Sequence, residues 1–291
     1  MSHVLTLIAD RTAASLTPAI LNRVRNAVGG QPPDVLSPGE AADIPVFKAP
    51  DPDLIRSALD GAPIDAITTK TRGRRKALLL ADMDSTIVTG ETLDELAVFA
   101  GIGAQIAAIT ARAMNGELDF KDALRERVAM LKGLKLGALE QAWAQVTVTP
   151  GARELVATMR ARGALTALVS GGFTFFTGRV AEAVGFEIHR SNTLLDDGEA
   201  LTGKVGEPIL DRGAKLETLH ALAEQRGVKL GATLTVGDGA NDLDMLRAAG
   251  LGVAFRAKPI VAAEARARVD HADLRALLFA QGYHAEEFVS G

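Results

Sequence analysis

The 291-residue sequence has no cysteine, which excludes disulfides, zinc–thiolate centres and thiol nucleophiles together. The same absence leaves the redox compartment unreadable. No stretch offers the ~18 uncharged apolar residues of a membrane span. The apolar opening MSHVLTLIADRT is broken at Asp10 and Arg11, too short for the apolar part of a secretion signal. A soluble, cytoplasmic protein is expected. A basic excess is missing as well: the net charge is −4 and the short run Arg72, Arg74, Arg75, Lys76 stands alone. Neither nucleic acid nor a membrane is therefore expected as a partner. What is there is 47% apolar and 23% charged residues with both signs interspersed, the composition of a packed globular chain. Its length suits one large domain and a smaller one.

Residues 3–9, 44–48 and 64–69 read as strands, and 12–28 and 51–60 as helices, so the amino-terminal part is a small α+β unit. It ends at the charged, glycine-containing TRGRRK, which reads as a linker with few contacts and sets a boundary near residue 74. Residues 1–74 and 75–291 are the expected domains, the first carrying no motif residue. From Lys76 the pattern alternates between helices and the short apolar runs KALLLAD, ALTALVS, ATLTVGD and LGVAF. Such runs between helices indicate an α/β fold, a doubly wound, mostly parallel sheet covered on both faces. Ligands in these sheets sit beyond the carboxyl ends of the strands, where this chain has Asp82, Ser170 and Asp238. Between the first two strands, residues 91–148 read as helices only, a candidate lid inserted at the active end; the core is then 75–90 and 149–291.

The segment ADMDSTIVTGET puts Asp82 and Asp84 directly after a strand. Alone, such a pair is as readily an Asx turn. A calcium loop of the EF-hand kind fails, because counting from Asp82 the sixth position is Ile87 and the twelfth Leu93. A second cluster, VGDGANDLDML, holds Asp238, Asn241 and Asp242; Gly237 and Gly239 lack the third glycine of a dinucleotide loop. Oxygen ligands without His or Cys suit a hard cation, and Mg²⁺ beside a phosphorylated substrate is the usual pairing. VSGGF supplies the Ser170 hydroxyl and the backbone N–H groups of Gly171 and Gly172, small residues that let the backbone approach an anion. Lys215 opens a further helix and could add a point charge; by itself it is better read as a solvated lysine.

Each segment alone is weak, but the four in this order resemble the motifs of the haloacid-dehalogenase-like (Rossmannoid) phosphatase superfamily. Within it DMDST, VSGGF, Lys215 and GDGAND are most similar to the phosphoserine phosphatases, over about residues 76–256. The resemblance implies hydrolysis of O-phospho-L-serine, the last step of serine biosynthesis. Asp82 is then the nucleophile and Asp84 the acid–base, with Mg²⁺ on Asp82, Asp84 through its carbonyl, and Asp238. Asn241 and Asp242 would support the metal and substrate, and Ser170, Gly171, Gly172 and Lys215 would bind phosphate. It also implies that Glu91 and Arg127 hold the amino and carboxylate groups, with Met114 and Phe120 as apolar lid contacts. In isolation Glu91 is a first-turn acid and Arg127 a solvated helix residue. Residues 1–74 are similar in β–α–β order to amino-acid-binding ACT-like domains.

Two alternatives stay open. One is a phosphatase or phosphotransferase for another small phosphorylated amino acid or alcohol. The other, a non-enzymatic amino-acid sensor, has no use for Asp82 and Asp84 together. The sequence leaves a homodimer open.

Overall fold

A computed structural model describes residues 1–12, 16–114 and 117–291, with the backbone alone at 111, 113 and 114. The chain opens with β1 (His3–Ala9), α1 (Pro18–Val28), β2 (Asp34–Ser37), β3 (Ala41–Val46), α2 (Pro52–Leu59) and β4 (Ile64–Lys70). The four strands pair antiparallel in the order β2-β3-β1-β4, a split β–α–β arrangement. The helix expected from residue 12 begins at Pro18, because the Thr17 hydroxyl accepts the Ile20 N–H and proline suits the first turn. β2, a short strand with exposed Asp34 and Val35, has no counterpart in the sequence reading.

Strand alternation gives this sheet two buried faces. Leu5, Leu7 and Ala9 of β1 pack with Val24 of α1 and Ile55 and Leu59 of α2. Ile8, with Leu36, Ala41 and Ile67, belongs instead to the apolar core that contains Leu277, Phe279 and Tyr283 near the carboxyl end.

TRGRRK, expected as a loose linker, is a hub of contacts. The Arg74 guanidinium pairs with Asp43 and donates to the Thr6 hydroxyl at 3.0 Å and the Phe279 carbonyl at 3.3 Å. Arg75 pairs with Glu287 at 2.8 Å and lies over the Tyr283 ring. Buried Asp65 accepts backbone N–H bonds from Asp270, His271 and Ala272, at 2.8 to 3.3 Å. These partners lie from 31 to 212 residues away in sequence, so a local reading of charge as exposure misses them.

The larger unit runs β5 (Leu78–Ala81), then the lid helices α3 (Thr92–Phe99), α4 (Gly103–Met114), α5 (Phe120–Ala129) and α6 (Gly137–Trp143). It continues with α7 (Ala152–Ala161), β6 (Leu165–Phe173), α8 (Thr174–Val184), β7 (Ile188–Asn192), β8 (Leu194–Asp196) and β9 (Leu201–Val205). α9 (Arg212–Arg226), β10 (Thr233–Gly237), α10 (Leu243–Ala248), β11 (Leu251–Phe255), α11 (Pro259–Glu264), β12 (Ala267–Val269) and α12 (Ala276–Phe279) complete it. Six strands form a parallel sheet in the order β12-β11-β10-β5-β6-β7. The three strands that bear the site, β5, β6 and β10, are its centre. Their apolar side chains are buried on both faces, in two clusters.

β7, β12 and the β8–β9 hairpin escaped the apolar-run criterion because IHRSN, ARV and LTGKV are short and polar. The two lid connections pass side by side: Val88 bridges Val148, and the Thr89 N–H donates to the Thr147 carbonyl at 2.9 Å.

Candidate active site

Leu78–Ala81 is buried throughout, so the chain can leave the sheet only at Asp82, the first polar residue after the strand. A tight turn follows, with Ser85 at φ 53°, a left-handed conformation uncommon for a residue with a side chain. The turn carries Asp84 back over the strand end, where its carboxylate accepts the Thr92 N–H at 2.9 Å and the Ser170 hydroxyl at 3.1 Å. The Gly172 N–H donates to the Ser170 hydroxyl at 2.8 Å. A Cβ on Gly172 would lie 3.1 Å from Ser170 Oγ and 3.2 Å from Asp84 Oδ2, so glycine is what lets β6 approach this closely.

Asp82 Oδ1 lies 2.7 Å from Lys215 Nζ, which is also 2.6 Å from Asp242 Oδ1. The helix that presents Lys215 starts at Asp211, whose carboxylate accepts the Gly213 N–H at 2.9 Å. Asp242 is fully buried and accepts the Gly239 N–H at 2.9 Å. A Cβ on Gly237 would sit 2.4 Å from that carboxylate. Thr86 Oγ1 donates to Asp238 Oδ1 at 3.3 Å.

Carboxylate oxygens of Asp82, Asp238 and Asp242 thus lie within 4.8 Å of one another. Burial pushes the Asp82 carboxyl up, and Asp242 adds to it, while Lys215 opposes both. Asp238 is raised to about 6 by burial and by Asp242. Burial alone lowers the Lys215 ammonium, but Asp82 and Asp242 outweigh it, so Lys215 is held cationic. Three clustered acids with one buried cation leave negative charge that a hard divalent ion would neutralise, and an all-oxygen donor set fits such an ion. Asp84 stands apart from this cluster. Burial raises it to about 6 against the hydrogen bonds from Thr92 and Ser170, which leaves it able to carry a proton near neutrality.

The lid closes a cavity of about 150 Å³ over these groups. Asp82, Asp84, Ser170, Gly171, Gly172, Asp238 and Asn241 line its floor, and Glu91, Phe120 and Arg127 its lid side. Glu91 Oε1 accepts the Ser85 hydroxyl at 2.7 Å. The Arg127 Nε donates to the Ala123 carbonyl at 3.2 Å, and burial lowers its pKa against the pull of Asp94 and Glu91. Asp242 and Lys215 sit behind the floor, and Lys215 faces a small adjoining cavity with Phe120, Ser170 and Asn241. The Met114 side chain lies outside the described residues.

Two residues at the site had no signal in the sequence reading. Lys258 lines the cavity with Nζ 3.9 Å from Asp238 Oδ2, its N–H bonded to the Asp238 carbonyl. Asn192 links the phosphate loop to the approach of α9, donating to the Gly171 carbonyl at 2.9 Å and accepting the Leu210 N–H at 2.8 Å. A lysine three residues after a strand signals nothing by itself; Asn192 could have been found only by recognising β7.

A parallel sheet with an acid pair after its central strand, a helical lid, and a lysine and acidic cluster on neighbouring strand ends defines a hydrolase of known type. The sequence model of the haloacid dehalogenase-like hydrolases matches residues 79–247, and the chain belongs to that family. Its similarity within the family runs to phosphoserine phosphatases. It is 45% identical to that of Streptococcus thermophilus over 68% of this chain and 93% of the relative. It is 42% identical to that of Streptomyces coelicolor over 78% of this chain, but spans only 55% of that relative. The solved structure of a probable phosphoserine phosphatase from Vibrio cholerae, in unliganded form, superposes with a TM-score of 0.80 at 33% identity. That match covers 98% of this chain and 88% of the other, the amino-terminal sheet included. Among the described residues no helix is long and apolar enough to cross a membrane.

Proposed function

We propose that the chain hydrolyses O-phospho-L-serine to L-serine and phosphate, with Asp82 as nucleophile and Mg²⁺ as cofactor. The observation that carries this is the meeting, in one cavity, of the acid pair Asp82 and Asp84 with Glu91 and Arg127 on the lid. Opposite charges on the lid match the ammonium and carboxylate of an amino acid, while the floor is built for phosphate. The names of the relatives support the same reading.

Asp82 attacks phosphorus, and an aspartyl phosphate splits one displacement into two easier ones. Asp84 gives its proton to the departing seryl oxygen and then takes one from the attacking water. Lys215 counters the upward push of burial on the Asp82 carboxyl and is placed to meet phosphate oxygens; the Ser170 hydroxyl and the Gly171 and Gly172 N–H groups hold the others. Asp82, Asp238 and the Asp84 carbonyl, with Asp242 and Asn241 behind them, would hold Mg²⁺, which would supply neutralisation of the phosphate charge. We assign residues 1–74 to an ACT-like unit and 75–291 to the phosphatase unit.

The test is phosphate release from a panel of phosphorylated amino acids, sugars and alcohols with Mg²⁺ in excess. Phosphoserine should be the preferred substrate by kcat/KM. Preference for an ester without an amino acid moiety would refute the assignment, and transfer to an added alcohol in place of water would make the chain a phosphotransferase.

A further inference from the structure

A second cavity, of about 520 Å³, lies at the opposite end of the parallel sheet from the active site. Lys76, Gly231, Gly250 and Arg266 line it, and each lies one or two residues before a strand of that sheet. Asp82 and Asp238 follow the other ends of β5 and β10, and Ser170 lies toward the same end of the neighbouring β6. Its remaining wall comes from the amino-terminal unit: Thr68, Thr69 and Lys70 at the end of β4, and the Arg72 that follows. The cavity is thus a cleft between the two units, of the size that small-molecule sites occupy.

Its chemistry is one-sided. Lys70, Arg72, Arg74, Lys76 and Arg266 line it, and the lining contains no Asp or Glu. Arg74 is neutralised by Asp43, but the other four present positive charge to one space, in a chain whose net charge is −4. Lys76 is fixed there: its Nζ donates to the Gly73 and Gly231 carbonyls, both at 2.8 Å, leaving one of its three N–H donors free. His3 is the one aromatic ring in the lining, so the cleft offers little for a nucleobase to stack on.

We propose that this cleft binds a small multivalent anion, a phosphorylated or polycarboxylate metabolite without a nucleobase, which bridges the amino-terminal sheet to the phosphatase core. Four converging cations repel one another when the cleft is empty and are neutralised together when an anion of two or more charges enters. Because both units contribute cations, such a ligand favours their docked arrangement and raises the stability of the whole chain.

The full-length chain, with Mg²⁺ in excess, is titrated calorimetrically with pyrophosphate and, in a separate arm, with tricarballylate. Saturable binding is expected, weakened about tenfold or more in the Arg72→Ala/Arg266→Ala double variant and progressively weakened by NaCl. Both positions are exposed and outside the catalytic cavity, so the double variant should keep the phosphatase kcat of the parent. Lys70→Ala, also exposed, should weaken binding in the same direction. Binding of pyrophosphate alone assigns the site to phosphate-bearing ligands, of tricarballylate alone to carboxylates, and of both to multivalent anions in general. No saturable binding of either anion, or equal affinity in parent and double variant, overturns the proposal; equal affinity would put the anion in the active site.

Discussion

The lid and the amino-terminal sheet are both additions to the same parallel core, at different places and on different terms. The lid crosses to the segment before α9 through two exposed ion pairs, Lys121 with Asp211 at 3.1 Å and Arg125 with Glu207 at 2.7 Å. Between lid and core lies a polar cavity. The amino-terminal sheet instead buries Ile8, Leu36, Ala41 and Ile67 against the carboxyl-terminal helix region and is locked by Asp65, Arg74 and the Arg275–Glu40 pair. Exposed pairs contribute ~0–1 kcal/mol, whereas a buried acceptor serving several N–H groups costs much more to remove. The lid shares the core's apolar cluster through Leu96, Leu124, Val128 and Leu139, so both attachments are part of the fold; what sets the lid apart is that its α5 edge is held to the segment before α9 by exposed pairs.

The largest effect expected belongs to the core that both regions share: Asp82→Asn should lower turnover by several orders of magnitude while circular dichroism stays unchanged, because it removes the attacking charge and little volume. On the lid side, Arg127→Ala should cost roughly 2–5 kcal/mol in kcat/KM for phosphoserine, and far less for p-nitrophenyl phosphate. Equal losses on both substrates would place Arg127 on the phosphate or in lid folding. On the sheet side, Asp65→Ala should lower unfolding stability by about 2–4 kcal/mol, through three stranded N–H groups, with little change in KM. A large KM change there would mean that the sheet reaches the site. Lys121→Ala is the converse: less than ~1 kcal/mol in stability, read against a measurable change in KM.

The smallest effect is on pH dependence. Asp238, raised from 3.8 to about 6, holds a proton in the folded chain that the unfolded chain has released. Without metal, its contribution to stability is present below pH 3.8 and is lost as pH rises through about 6. Thermal midpoints of metal-free wild type should therefore fall relative to Asp238→Asn across that range, and Mg²⁺ should reverse the order. A difference that ignores both pH and Mg²⁺ would remove Asp238 from the metal site.

The two regions also differ in how legible they are. Asp82, Ser170 and Asp238 could be read in the sequence because phosphate chemistry demands polar groups where apolar strands end; Lys215, at a helix start, was legible only through its place in the order of motifs. The lid was legible as four helices from their periodicity. The docking of the amino-terminal sheet was not, since Arg74 pairs with Asp43 and Asp65 with residues 270–272, partners that only the folded chain brings together. TRGRRK has the composition of a linker, yet Arg74 within it is largely withdrawn from solvent. A strand covered on both faces, such as β1, carries the same signal whether its second cover is its own helix or another unit. A chain starting at Arg75 would uncover Leu277, Phe279 and Tyr283. Loss of solubility is thus the expectation for it, in place of the independent phosphatase that the linker reading implied.

The most direct test of the central claim is to locate the phosphoryl group during turnover. Full-length enzyme mixed with phosphoserine and Mg²⁺ is quenched in acid within a turnover, digested and examined by mass spectrometry. The account predicts phosphate on the peptide carrying Asp82, more of it in Asp84→Asn, where hydrolysis slows, and none in Asp82→Asn. An enzyme that turns over phosphoserine with no phosphorylated Asp82, or with the phosphoryl group on another residue, would contradict it.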